Sequence, residues 1–358
     1  MVFERLILVE KQPKRCNREG FLWFYWDMSF APLSTAAVVC LSLFFARATA
    51  TPTDVPPVDG FGHLATGVDA PLAAPPLVDA PLAAPPMDLR SIQSGGMTRY
   101  YRVHEPSGYD PQVPTPLVMA FHGGGGNAVQ FADQTEMYVT ADANDFLLVF
   151  PEGTGALGGP PWFTLETWNA GNCCGWAQTH NVDDVQFARD MVAALDAEWN
   201  IDLQHVYATG HSNGAMMSYR LGIEASDLVT AIAPNAGARG VNGMPSTPVP
   251  MMVMHGKLDS NVPFQGGVGT GPSGTDYRSQ RQSVMPFARV NGVNSYSLAE
   301  TRGQAERYEG IGTSGSPIHY WFLHDGGHSW PGHGSAVGDP VNMDIDANDE
   351  IWAFFEQF

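Results

Sequence analysis

Ser212 stands in Gly210-His211-Ser212-Asn213-Gly214, directly after a strand-like run at 204–209 and directly before a helical pattern at 215–223. A serine hydroxyl is a poor nucleophile until a base takes its proton. Flanking glycines let the chain turn tightly from strand to helix and leave the hydroxyl exposed at the sheet edge, the setting of a nucleophile elbow. In that setting a carboxylate and then a histidine follow along the chain, each on a loop after a strand. Asp259 meets the first requirement, because it ends His255-Gly256-Lys257-Leu258-Asp259 after the apolar run 250–255. Three histidines, His324, His328 and His333, lie just beyond the strand-like run 317–323. His324 sits at the strand end, His333 lies in a glycine-rich stretch, and His328 follows Gly326-Gly327, a pair that suits a ring leaning back over the serine.

Acyl transfer also needs N–H donors for the oxyanion. The stretch Phe121-His122-Gly123-Gly124-Gly125-Gly126-Asn127 ends an early strand, and its four glycines permit close approach of backbone to a substrate carbonyl. One donor is expected from Gly124 or Gly125 and the other from Asn213. A phosphate cradle is the rival reading of such a loop, but no G-K-[ST] follows it.

These residues need a scaffold. Runs at 97–103, 116–121, 146–150, 204–209, 229–234, 250–255 and 317–323 read as strands, and 182–199, 212–223 and 347–357 read as helices. Strands alternating with helices predict an α/β fold with a mostly parallel central sheet and helices on both faces.

Three regions are expected along the chain. Residues 1–50 carry basic side chains, an apolar run at 36–46 and Ala48-Thr49-Ala50, the shape of a secretory signal with its cleavage site. Residues 51–87 repeat Val-Asp-Ala-Pro-Leu-Ala-Ala-Pro-Pro at 68–76 and 78–86, which predicts an extended linker. Residues 88–358 form the catalytic domain. With 18 Lys+Arg against 37 Asp+Glu and a net charge of −19, the chain offers no basic surface for nucleic acid or anionic lipid. The expected product is a secreted protein with no membrane span after processing.

The segments His122–Asn127, Trp168–Gly175, Gly210–Met217, His255–Asp259 and Gly327–Gly332 together resemble the secreted polyhydroxybutyrate depolymerase and feruloyl/acetylxylan esterase superfamily, within the α/β-hydrolases. The resemblance spans about residues 90–358. It implies that Ser212, Asp259 and His328 form the catalytic triad, favours His328 over its neighbours, and implies that no metal or organic cofactor is needed. The function expected on this basis is hydrolysis of feruloyl or acetyl esters of plant polysaccharide. A polyester depolymerase is the alternative, followed by a surface-binding protein that lost catalysis.

Several features stay open at this level. Cys173 and Cys174 could form a vicinal disulfide, remain free thiols, or join His180, Asp183 or Asp184 around a metal, although the spacing matches no metal pattern. Asp183-Asp184 fits a helix cap better, as does Asp344-x-Asp346-x-Asn348, which lacks the glycine and glutamate of a calcium loop. Among the tryptophans, Trp199 and Trp352 belong to helical faces. Trp162, Trp168, Trp176 and Trp330 fall in loops, where Trp330 and Trp168 are the candidates for stacking on a sugar or phenolic ring.

Overall fold

The structure is a computed structural model that describes residues 87–156 and 165–358. The expected signal at 1–50, the linker to residue 86 and Trp162 lie outside the described residues.

In chain order, β1 (Asp88–Ser94) and β2 (Met97–His104) form a hairpin, and β3 (Thr115–Phe121) leads through α1 (Ala128–Thr135) and α2 (Met137–Asn144) to β4 (Leu147–Pro151). Next come α3 (Gly175–Thr179), α4 (Asp184–Asp196), β5 (Ile201–His211), α5 (Asn213–Glu224), β6 (Ala231–Asn235) and β7 (Met251–Gly256). A short hairpin, β8 (Gly267–Val268) and β9 (Asp276–Tyr277), precedes α6 (Gln280–Asn291). The chain finishes with β10 (Ser297–Arg302), β11 (Ala305–Gly310), β12 (Ile318–Leu323) and α7 (Ala347–Phe355).

Ten strands make one sheet in the order β1-β2-β4-β3-β5-β6-β7-β12-β11-β10. The six strands from β4 to β12 pair in parallel, and antiparallel strands extend the sheet at both ends. The parallel strands read as unbroken apolar runs because both of their faces are covered. In β3, Leu117, Met119 and Phe121 enter one core, while Val118 and Ala120 enter the other. In β7, Met251 and Val253 divide from Met252 and Met254 in the same way. The first core takes Phe187 and Met191 of α4, Met217 and Leu221 of α5, and Phe287 of α6. The second takes Phe131 of α1, Tyr138 of α2 and Ile351, Phe354 and Phe355 of α7. This is the expected α/β architecture with helices on both faces.

All seven expected strands and all three expected helices are present, with ends shifted by a few residues. Helix α6 escaped the sequence reading because Pro286 lies inside it, seven residues beyond the Ser279 cap. Proline cannot donate to the carbonyl of Gln282 one turn earlier, and Arg239 Nη2 occupies that oxygen at 3.2 Å instead.

Candidate active site

The sharpest backbone feature is at Ser212, whose φ of 57° and ψ of −118° lie in a region that non-glycine residues avoid. Such a conformation costs roughly 1–3 kcal/mol and persists only where its surroundings enforce it. The Ser212 N–H donates to Asn235 O at 3.0 Å, and Ser212 O accepts from Met216 N at 3.0 Å. The neighbouring glycines serve close approach more than turning. A Cβ on Gly210 would stand 2.6 Å from Phe121 O, and one on Gly214 would overlap the same carbonyl. Strand β3 therefore runs against the elbow, bringing the glycine loop beside Ser212.

Asp259 and His328 meet from the ends of the two neighbouring strands β7 and β12. His328 Nδ1 lies 2.9 Å from Asp259 Oδ2, with both side chains buried. A carboxylate accepts, so Nδ1 carries the proton and Nε2 is left bare, the form required of a base. The other oxygen, Asp259 Oδ1, accepts from Val262 N at 2.8 Å. The competing histidines are engaged elsewhere: His324 Nε2 lies 3.2 Å from Glu306, and His333 Nε2 lies 3.1 Å from Asp346. The double glycine before His328 has a steric reason, since a Cβ on Gly327 would stand 2.8 Å from Asp339 Cβ. Asp339 Oδ2 in turn accepts from His328 N at 2.9 Å.

One expected oxyanion donor needs correction. Gly125 N donates to Glu166 O at 2.7 Å, so its hydrogen is already committed. Gly126 N likewise donates to Gly123 O at 3.1 Å. Among the described residues, no acceptor takes the N–H of Gly124 or of Asn213. A Cβ on Gly124 would lie 3.4 Å from Asn213 Cβ, so these two positions are adjacent. Gly124 and Asn213 are thus the pair whose donors remain available.

Ser212, His328, Gly124 and Asn213 line one cavity of about 760 Å³. Trp168 and Trp330 do not, contrary to expectation. Both are fully buried. Trp168 Nε1 donates to His122 O at 2.9 Å, and Trp330 Nε1 donates to Asn348 Oδ1 at 3.0 Å. Trp330 packs edge-on against Phe131, its ring centroid 5.4 Å away. Both indoles hold neighbouring segments together from within the core. The aromatic side chains that do line the cavity include Trp176 and Tyr277, together with the apolar Leu165, Val262 and Val337. Trp176 is half-buried and stacks on His180 at 4.0 Å. The Trp176-x-x-x-His180 spacing, one helical turn, is the sequence signal that could have singled it out.

The remaining polar clusters are structural. Cys173 and Cys174 are bonded to each other, which leaves no thiolate for a metal. Asp183 caps α4 through Gln186 N at 3.0 Å. Asp184 departs from the capping expectation: it is buried against Arg99 Nη2 at 2.7 Å and accepts from Asn169 N at 2.7 Å. Asp346 caps α7 through Asn348 N at 2.9 Å. Atoms of His122, Glu152 and Glu166 come within 4.8 Å of one another beneath the glycine loop. Their capacity is already used, however. His122 Nε2 accepts from Gly153 N at 3.0 Å, Glu152 Oε2 accepts from Ala128 N at 2.8 Å, and the two carboxyl groups bond each other. His122 Nδ1 then donates to Gly123 O at 2.8 Å, and burial pushes the imidazole pKa down to about 4.

His211, adjacent to the nucleophile, was not singled out by sequence. It lines the cavity, and its ring centroid lies 4.6 Å from that of His328. Asn235 Nδ2 divides its two hydrogens between Ser329 O at 2.9 Å and His211 Nδ1 at 3.0 Å. His211 therefore carries its proton on Nε2. Burial, reinforced by His328 and His255, holds it neutral.

Comparison with protein-family profiles returns no match. Among curated sequences, the chain is 30% identical over 266 residues to a protein of Nocardia uniformis subsp. tsuyamanensis named as an esterase, NocK, covering 68% of this chain and 74% of that one. It is 26% identical to feruloyl esterase B of Piromyces equi over 63% of this chain, spanning 41% of that protein's length. It is also 26% identical to feruloyl esterase C of Emericella nidulans over 72% of this chain and 83% of that one. Among solved structures, acetyl xylan esterase from Aspergillus awamori superposes with a TM-score of 0.53 at 14% identity, over 75% of this chain and 99% of that one. That likeness speaks for the fold alone. The sequence relatives, led by the one at 30% identity over two thirds or more of each chain, identify the chain as a member of the feruloyl and acetylxylan esterase superfamily of α/β-hydrolases, which are carboxylic ester hydrolases.

Proposed function

We propose that this protein hydrolyses acetyl or feruloyl esters of plant polysaccharide through an acyl-enzyme on Ser212. The observation that carries this reading is the 2.9 Å contact of His328 with Asp259 beside the cavity that Ser212 lines. Ser212 Oγ attacks the ester carbonyl carbon while His328 Nε2 takes its proton, and Asp259 holds the imidazolium. The N–H groups of Gly124 and Asn213 receive the oxyanion. Collapse breaks the ester C–O bond, and His328 returns the proton to the leaving alcohol. Water then repeats the sequence, releasing the acid and the free serine.

The cavity's aromatic wall supports the choice of substrate. Trp176 and Tyr277 offer apolar faces to a hydroxycinnamoyl ring or a sugar, the role first expected of Trp330. The relatives named as feruloyl esterases support the same class. Polyester is the second reading. It is favoured by Leu165 and Val337, 80% and 57% exposed, at the same cavity, where they could meet an apolar polymer surface. Secretion belongs to this proposal too, on the strength of the signal-like segment 1–50. A panel of methyl ferulate, acetylated xylan and polyhydroxybutyrate film, assayed with a Ser212→Ala control, tests the function. Turnover of film alone would move the assignment to polyester, and turnover by Ser212→Ala would overturn the mechanism.

A further inference from the structure

Beside the triad lies a second imidazole that the mechanism above does not use. His255, at the end of β7, is completely buried. Its Nε2 lies 2.8 Å from Val262 O and 3.5 Å from Asp259 Oδ2. A carbonyl oxygen only accepts, so Nε2 carries the proton. Nδ1 is buried and has no partner among the described residues. A proton there would be an unsatisfied donor in the interior, so the ring is confined to one neutral tautomer, and burial lowers its pKa accordingly.

The hydrogen bonds around this ring form a closed circuit. His255 Nε2 donates to Val262 O, Val262 N donates to Asp259 Oδ1 at 2.8 Å, and Asp259 N donates back to Gly256 O at 3.3 Å. The circuit leaves one carboxylate oxygen for catalysis: Oδ2, which faces His328 Nδ1 at 2.9 Å and has His255 Nε2 as a longer second neighbour. The base of the circuit is fixed by close packing, since a Cβ on Gly256 would overlap Gly326 O. Phe264 meets the His255 ring edge-on at 6.0 Å. Val262 itself lines the cavity, so the same ring sets the carboxylate and part of the substrate wall.

We propose that His255 is a positioning residue for catalysis: through Val262, it aims the Asp259 carboxylate at His328. The inference rests on the triad reading above and adds to it a residue that never touches substrate. An uncharged donor suits the role, because a cation beside Asp259 would compete with the imidazolium that forms on His328 during turnover.

The test compares His255→Gln, His255→Asn and His255→Phe with the unaltered full chain on a soluble aryl acetate, reading kcat and KM separately alongside thermal unfolding. A Gln amide nitrogen reaches roughly where Nε2 stands, an Asn amide stops short of it, and Phe fills the space without a donor. His255→Asn and His255→Phe are expected to lower kcat about tenfold to a hundredfold with KM within about twofold, the cost of leaving Val262 O without its buried donor and the Asp259 carboxylate less firmly held. His255→Gln is expected to recover most of that rate. Equal loss in Gln and Asn, or a fall in kcat that follows Tm across all variants, would reduce His255 to a packing role and overturn the proposal. If His255→Phe does not fold, the Gln–Asn comparison decides alone. A parallel Ser212→Ala sample separates the two ideas: retained activity there would refute the triad and the His255 role with it, whereas lost activity there together with equal loss in Gln and Asn would overturn the His255 role alone.

Discussion

Asn213 grips Trp168 by both of its backbone groups: Oδ1 accepts the Trp168 N–H at 2.8 Å, and Nδ2 donates to the Trp168 carbonyl at 3.1 Å. Trp168 passes the restraint onward, since its Nε1 donates to His122 O at the start of the glycine loop. The residue after the nucleophile is thereby tied to the loop that faces it. A donor pair for an oxyanion has to be set before the reaction begins, and this clamp sets the relation between its two halves.

The clamp gives the first prediction. Asn213→Ala keeps the backbone N–H but leaves the Trp168 N–H unpaired in the interior, while Trp168 O keeps the N–H groups of Ala170 and Cys174. Stability is expected to fall by about 1–3 kcal/mol, with a clear loss of kcat. Asn213→Asp still accepts from Trp168 N and Trp168 O keeps its backbone donors, so it should lose less stability than the alanine variant, the remaining cost being a carboxylate oxygen set against Trp168 O. Urea unfolding and steady-state kinetics on an aryl acetate check both. An Asn213→Ala protein of unchanged stability would mean that the contact contributes nothing.

The tryptophans separate into two kinds. Trp330→Ala removes a fully buried indole and should destabilise the fold by about 3–5 kcal/mol. Trp176→Ala removes a half-buried ring from the cavity wall and should leave stability nearly unchanged while raising KM for methyl ferulate more than for an acetyl ester. Equal KM changes on the two substrates would remove Trp176 from the aromatic subsite.

Buried imidazoles make the fold sensitive to acid. Burial holds His122 down at about 4 from an ordinary 6.5, and His211 and His255 are lowered for the same reason. Between those two values the unfolded chain binds more protons than the folded one, so stability rises with pH. Acidification from pH 6.5 toward 4 should therefore weaken the fold, with His122 alone accounting for about 3 kcal/mol. Glu152, raised by burial, works the other way, because its share is lost as pH climbs through its elevated pKa. Denaturant unfolding at pH 7, 5.5 and 4.5 measures the balance. Equal stability at all three would contradict neutral buried rings.

The central strands and the residues Ser212, Asp259 and His328 were legible in sequence for a common reason. A strand buried on both faces must be a continuous apolar run, and the end of such a run marks the sheet edge where those side chains emerge. The edge strands β1, β10 and β11 carry no such mark. In β10 every residue is exposed or half-buried, and its cohesion comes from pairs such as Arg307 with Glu300 at 3.2 Å, which an alternating apolar pattern cannot reveal. The two misplaced tryptophans have a different cause. Position in a loop does not give access to solvent, since the loops bearing Trp168 and Trp330 fold inward against Phe121 and Phe131. Gly125 was misjudged because the partner of its N–H, Glu166 O, is 41 positions away in sequence, beyond local pattern.

His328 is proposed to activate Ser212. The most direct test is covalent labelling with a fluorophosphonate, followed by intact mass and peptide mapping. The unaltered protein is expected to gain one phosphonyl group on Ser212 and lose esterase activity in step. Ser212→Ala should gain none, and His328→Ala should label slower by orders of magnitude. Label on another residue, or His328→Ala reacting at the unaltered rate while His324→Ala fails, would contradict the account.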